Sequence, residues 1–234
     1  MSYDAQFSRW VPVARSQLAP DGSVYAFEST SSIYLENVAS GTLSQVGEGH
    51  AWTIVSVQAA GVYATQPNAA GLWLVPFAGT PRQITTAGYW QVGGADFAYG
   101  TPTSAVPNGV SNVLIRVDFK SGTVSDWFTR QGGQSSAIGL DGGGNVIIQV
   151  SYYTANVTEI WISTGAGKGT PIAGSDTGLT LSGLPVADSH GIWFAGIYGT
   201  YYNAHPGFVL YVPGRGLYWM SNVNAFLAGG CVKP

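Results

Sequence analysis

The sequence predicts an all-β fold, a five-bladed β-propeller of four-stranded antiparallel blades, and three observations carry that prediction. First, Gly-Thr follows an alternating apolar-polar run at Gly41-Thr42, Gly79-Thr80, Gly122-Thr123 and Gly169-Thr170, at intervals of 38, 43 and 47 residues. A degenerate fifth copy stands at Gly214-Arg215-Gly216. Second, the runs that enter these turns are Ile33-Tyr34-Leu35, Leu72-Trp73-Leu74, Val113-Leu114-Ile115, Ile160-Trp161-Ile162 and Val209-Leu210-Tyr211. They are β-branched or aromatic and bounded by glycine, which is the signature of strands. Third, the period is that of a propeller blade, and no long segment shows the 3.6-residue period of an amphipathic helix.

The first unit resolves most clearly into strands: 13–18, the turn Ala19-Pro20-Asp21-Gly22, then 23–28, 33–38 and 43–47. Pro fixes φ, Asp bonds its own backbone and Gly reaches positive φ, so each turn residue has its own reason to be there. Corresponding turns fall at Ala60-Gly61, Ala95-Asp96, 141–144 and 189–191. The expected blades run over 10–49, 50–87, 88–132, 133–178 and 179–224, all within one domain. One end of the chain is expected to complete the ring, because an open last blade would leave an edge strand exposed.

Composition narrows the function. Hydrophobic residues make up 45% of the chain and charged residues only 9%, with 33 Gly, a balance typical of turn-rich extracellular β-proteins. Nine Lys and Arg scattered over 234 residues cannot form the basic stripe that phosphate neutralisation requires, so no nucleic-acid partner is expected. No apolar stretch is long enough to predict a membrane span. The single cysteine, Cys231, cannot form an internal disulfide.

The stretch Leu18-Ala19-Pro20-Asp21-Gly22-Ser23-Val24-Tyr25-Ala26-Phe27 resembles the blade signature of bacterial TolB-like, or WD40-like, propellers, and Leu140-Asp141-Gly142 matches it in part. The opening Tyr3-Asp4 to Trp10-Val11-Pro12 is similar to the start of secreted or lipid-anchored bacterial propellers of unknown role. The resemblance implies a fold and an extracytoplasmic address (secreted, periplasmic or cell-surface), with the signal or lipoprotein leader expected to be absent from this sequence. It transfers no catalytic residue, since function lives in sites and not in folds.

Motifs for common chemistry are missing. The chain has no Gly-x-Ser-x-Gly elbow, no His-Glu-x-x-His and no Cys-x-x-Cys, so no metal and no cofactor is expected. Gly165-Ala166-Gly167-Lys168-Gly169-Thr170 fails as a phosphate loop, because Gly169 follows the Lys and Ile162 stands where the first Gly belongs. Asp141-Gly142-Gly143-Gly144-Asn145 has too few oxygen ligands for calcium and reads as a turn. Catalytic candidates are His50 and His205, expected on loops of one face, together with Glu28.

Aromatic residues supply the stronger pattern. Trp10, Trp52 and Trp90 recur at intervals of 42 and 38, each at the start of a blade, and read either as wedges between blades or as a stacking platform. Tyr152, Tyr201, Tyr202 and His205 lie on nearby loops. The resulting expectation is a non-catalytic binding propeller whose aromatic loop face takes a glycan, a peptide or a protein surface. The alternatives are a structural or assembly scaffold, and a lyase or glycosidase acting at the channel mouth through His50, His205 and Glu28.

Overall fold

A computed structural model describes residues 2–4, 8–104, 111–153, 157–174, 179–181, 183–198, 205–222, 227 and 231–232. Strands β1 (Ser2–Asp4) and β2 (Arg9–Val11) open the chain. The first sheet holds β3 (Val24–Glu28), β4 (Ile33–Asn37) and β5 (Leu43–Val46). The second holds β6 (Thr53–Gln58), β7 (Gly61–Thr65), β8 (Leu72–Val75) and β9 (Arg82–Thr85). The third holds β10 (Tyr89–Gly93), β11 (Phe97–Thr101), β12 (Val113–Asp118) and β13 (Val124–Thr129). The fourth holds β14 (Gln134–Leu140), β15 (Val146–Tyr152), β16 (Val157–Gly165) and β17 (Lys168–Ala173). In the fifth are β18 (Thr180–Leu181), β19 (Val186–Ala187), β20 (Ile192–Tyr198), β21 (His205–Val212) and β22 (Gly216–Ser221). Last comes β23 (Cys231–Val232), which pairs parallel with β1 while β2 pairs antiparallel with it.

Each of the five main sheets is an antiparallel meander, so the fold class is all-β: five sheets of mostly four strands, the blade set of a five-bladed propeller. The chain divides into two compact units, one of Met1–Gly109, Ile115–Ser125 and Gly229–Pro234, the other of Val110–Leu114 and Asp126–Ala228. In the first unit, Ala26, Ile33 and Leu35 of the first sheet share a core with Ile54, Val57, Val62, Ala64 and Val75 of the second. In the second unit, Ile147, Ile160 and Ile162 share one with Ile192, Phe194 and Val209. Second strands are buried on both faces, as in β7, whose five residues are all buried, and such strands read as nearly continuous apolar runs. Fourth strands stand in solvent: the first four residues of β17 are exposed.

The turns repeat in atomic detail. Asn37 Oδ1 accepts from the backbone N–H groups of Ala39 and Ser40, and Asp118 Oδ1 does the same for Lys120 and Ser121. In both hairpins a glycine follows at positive φ, Gly41 at 70° and Gly122 at 69°, before the threonine of the Gly-Thr phrase. The fourth sheet departs from this register. There Gly167 is the positive-φ residue, and Gly169-Thr170 lies inside β17. Between first and second strands, Asp21, Asp141 and Asp188 each accept backbone N–H bonds from residues two to four positions on.

Two first strands differ from expectation. Residues 13–18 form a 3-10 turn at Arg15–Gln17 instead of a strand, with Gln17 Oε1 accepting the Ala14 N–H and Leu18 bridging to Tyr25. The first strand of the fifth sheet is broken into β18 and β19, which pair in turn with Gly196–Ile197 and Ile192–Trp193 of β20. The two ends of the chain pair with each other: β1, β2 and β23 form a small sheet of their own.

The repeated turn glycines permit a paired test. A Cβ on Gly41 would meet nothing within 4 Å, whereas one on Gly122 would lie 2.7 Å from the Ile84 carbonyl oxygen. Gly41→Ala is expected to cost about 1–2 kcal/mol, the penalty of the left-handed backbone alone. Gly122→Ala, which adds a backbone clash, is expected to cost about 3 kcal/mol or more. Urea denaturation of both variants measures the difference, and equal costs would show that the close approach is not enforced.

Candidate functional site

The residues singled out in the sequence fall in different environments. Trp52 is 3% exposed and its Nε1 donates to the Gly47 carbonyl at 2.7 Å; Trp90 is 4% exposed and donates to the Ala87 carbonyl at 2.9 Å. Each indole lies over a positive-φ glycine, Gly47 or Gly88, where a Cβ would collide with the ring, so both tryptophans act as packing locks. Trp10 in β2 is exposed. His50 is exposed and sits edge-on to Trp52, with ring centroids 5.6 Å apart. Glu28 accepts the backbone N–H of Ile54 at 2.7 Å, tying the first sheet to the second. His205 is not a loop residue: it opens β21, opposite Tyr198 of β20. Tyr201 and Tyr202 lie outside the described residues. Among the described residues, no three His, Cys, Asp or Glu side chains come together as a metal site would require.

Tyr152 has the richest surroundings. In the fourth sheet, Val150 of β15 stands opposite Glu159 of β16, and Ile148 opposite Trp161. Alternation along a strand therefore puts Tyr152, Glu159 and Trp161 on one face. Arg130, just past the end of β13, has its backbone N–H fixed by the Asn112 carbonyl at 2.9 Å and reaches this face with its guanidinium. Its Nε and Nη2 donate to Glu159 Oε2 and Oε1 at 3.1 and 3.0 Å, a two-pronged pairing. The same Nε lies 2.8 Å from the Tyr152 hydroxyl, which donates to Glu159 Oε2 at 3.1 Å. Trp161 Nε1 donates to that oxygen at 2.8 Å, and the guanidinium carbon stands 4.8 Å from the centroid of the Trp161 ring.

This network settles the charges. Burial alone would raise the Glu159 carboxyl, but hydrogen bonds from Arg130, Trp161 and Tyr152 outweigh it and hold the group below the usual range. The Glu159 hydrogen bond raises Arg130 further. Burial, followed by the bond to Glu159, pushes the Tyr152 phenol up, so it stays protonated at neutral pH. Four donor contacts fill the carboxylate, leaving it suited to holding the guanidinium flat on Trp161 and poorly suited to taking a proton from a substrate.

Beside the cluster lies a groove of about 410 Å³, bounded by residues 126–129 of β13, Arg130, Trp161, Gly167 and Gly169. Glycine shapes its wall. A Cβ on Gly169 would come 2.8 Å from Phe128, and the Gly167 N–H donates to the Trp127 carbonyl at 2.8 Å, drawing the β16–β17 turn onto β13. Phe128 and Trp161 meet inside at 5.5 Å between centroids, while Asp126 and Thr129 are exposed at the rim. The volume falls at the small end of ligand sites, and the lining joins aromatic faces to a few fixed polar groups.

No family model matches this sequence, and no curated protein matches it. Among solved structures, the chain is similar to a protein of Agrobacterium tumefaciens assigned as TolB, at 15% identity and a TM-score of 0.55, covering 87% of this chain and 78% of that one. The fold is that of a TolB-like β-propeller. The tricorn protease aligns over 85% of this chain and 21% of its own at 16% identity, with a TM-score of 0.45, too low to bear on the fold. At these identities the TolB-like propeller likeness speaks for backbone architecture alone.

Within that architecture, the sequence reading places Trp161 in a strand and assigns no site role to Arg130, Glu159 or Trp161. The available signal was the Glu159-x-Trp161 spacing, which places a carboxylate and an indole side by side on a strand.

The depressed Glu159 group predicts an acid limb in stability. Its contribution is fully present above the ordinary carboxylate range and is lost as pH falls below about 4, through the lower folded-state value. Glu159→Gln is expected to flatten that limb in thermal melts recorded against pH, and an unchanged limb would show that Glu159 does not set it.

Proposed function

We propose that this TolB-like propeller is a non-catalytic binding module that takes a neutral saccharide in the groove between β13 and the β16–β17 hairpin. One observation carries the reading. The cation in the groove, Arg130, is neutralised by Glu159 and laid against Trp161, so the site offers aromatic surface and hydrogen bonds without surplus positive charge. Among the residues that line the groove, Arg130 is the one cation, and an anionic ligand would meet the Asp126 carboxylate. A pyranose has apolar C–H faces for the rings and hydroxyls for Asp126, Thr129 and the outer guanidinium nitrogens. Tyr152 serves as a positioning residue through its bonds to Arg130 and Glu159. The low charge and high glycine content support an extracytoplasmic setting.

Glycan-array screening followed by calorimetry tests this directly. A neutral oligosaccharide is expected to bind, with Asp126→Ala and Thr129→Val each weakening it about tenfold, or about 1.4 kcal/mol. Trp161 fluorescence is expected to respond to the bound sugar. Binding only of acidic glycans, or binding untouched by either substitution, would overturn the proposal.

A further inference from the structure

A second groove, of about 440 Å³, lies between the last strand of the first sheet and the connection from β8 to β9. Cross-strand register builds its floor. Leu35 of β4 stands opposite Ser44 of β5, and Val24 of β3 opposite Asn37 of β4, so alternation places all four on one face. Thr42, two residues before Ser44, continues the row of hydroxyls. Phe77, from the β8–β9 connection, supplies an aromatic wall and is held by packing on the core that the first two sheets share. Leu35 is buried while Ser40, Thr42 and Ser44 are exposed, so polar groups rim an apolar floor. Among the described residues that line the groove, none is ionisable. Asn37 is the informative one. Its Oδ1 accepts the N–H groups of Ala39 and Ser40 and the Ser40 hydroxyl, which closes the hairpin. Asp118 closes the hairpin of the third sheet with the same three contacts, from Lys120, Ser121 and the Ser121 hydroxyl. One side-chain oxygen therefore suffices for the turn, and the NH2 group of Asn37 is surplus to it. That group brings two donor protons to a groove whose other polar side chains are hydroxyls.

We infer that this groove is a second site for a neutral saccharide. It holds the same place in the repeat as the first: each groove lies between the last strand of one sheet and the connection joining the third and fourth strands of the next, β5 with β8–β9 here and β13 with β16–β17 there. The ligand class rests on the reading proposed above, while the place rests on this groove's own lining. A sugar ring lays its C–H face against Phe77, accepts from the Asn37 NH2 and exchanges hydrogen bonds with Thr42 and Ser44. A charged ligand would give up its hydration here with no counter-charge to replace it.

Heteronuclear NMR follows the two grooves separately, through the Asn37 carboxamide signal for this one and the Trp161 indole N–H signal for the first. The probes are cellotriose, mannotriose and N-acetylchitotriose at millimolar concentration. A sugar that shifts the Trp161 signal is expected to shift the Asn37 signal as well. Thr42→Val and Ser44→Val are each expected to weaken the response at Asn37 about tenfold and to leave Trp161 unchanged. Asn37→Asp keeps the oxygen that closes the turn, as Asp118 does, and is expected to weaken binding by a similar factor at the Phe77 backbone amide. The remaining signals of each variant report whether the fold is kept. An Asn37 signal that no sugar moves, or a shift indifferent to both valines in folded protein, would overturn the inference. Movement of Trp161 alone overturns it and leaves the first groove standing, movement of Asn37 alone does the reverse, and silence at both overturns both.

Discussion

Ala26, Ile33 and Leu35 of the first sheet cannot be hidden by that sheet, whose strands are four or five residues long, and they are buried by Ile54, Val62 and Val75 of the second. The second unit solves the same problem by burying Ile147 and Ile160 against Ile192 and Phe194. A blade with two apolar faces has no independent stability, so burial by the adjacent sheet is the condition on which the remaining structure rests. That condition explains why second strands such as β7 are buried along their length, why last strands such as β17 are the more exposed, and why glycine is needed where sheets meet. Sheets brought this close leave no room for a Cβ where backbone meets backbone, as at Gly122 of the third sheet against the Ile84 carbonyl of the second.

Turn chemistry made the repeat visible in the sequence. Gly41 and Gly122 recur because a side-chain oxygen four residues earlier closes the hairpin and forces positive φ on the glycine. Where the strands run further and the turn tightens to Ala166-Gly167, as between β16 and β17, the dipeptide falls inside the strand and marks β17 instead of the turn. Strand edges were harder to read. Bulges between Ile54 and Ser56, Trp90 and Val92, and Ala137 and Gly139 insert a residue into three first strands and interrupt the two-residue alternation. The 3-10 turn at Arg15–Gln17 depends on the Gln17 side chain reaching back to a backbone N–H, which no periodicity announces.

The candidate site was less visible still. The eye is drawn to recurring tryptophans, and Trp52 and Trp90 do recur for a reason, but the reason is an indole N–H locked to a nearby carbonyl over a glycine. Tyr152 was found as one aromatic among several, without its partners. Arg130, Glu159 and Trp161 are brought together by cross-strand register and by the loop after β13, and both are properties of folding, not of local sequence. Isolated charges in a chain with so few of them are the residues whose partners are worth locating first.

The internal neutralisation of Arg130 also governs how the groove meets its surroundings at a distance. A guanidinium matched by a carboxylate at 3.0 Å leaves little field beyond the first layer of solvent. Ions in the medium have correspondingly little to screen, so the proposed capture of a neutral sugar in this groove should run at an ordinary, unsteered encounter rate and keep its strength from dilute buffer to seawater.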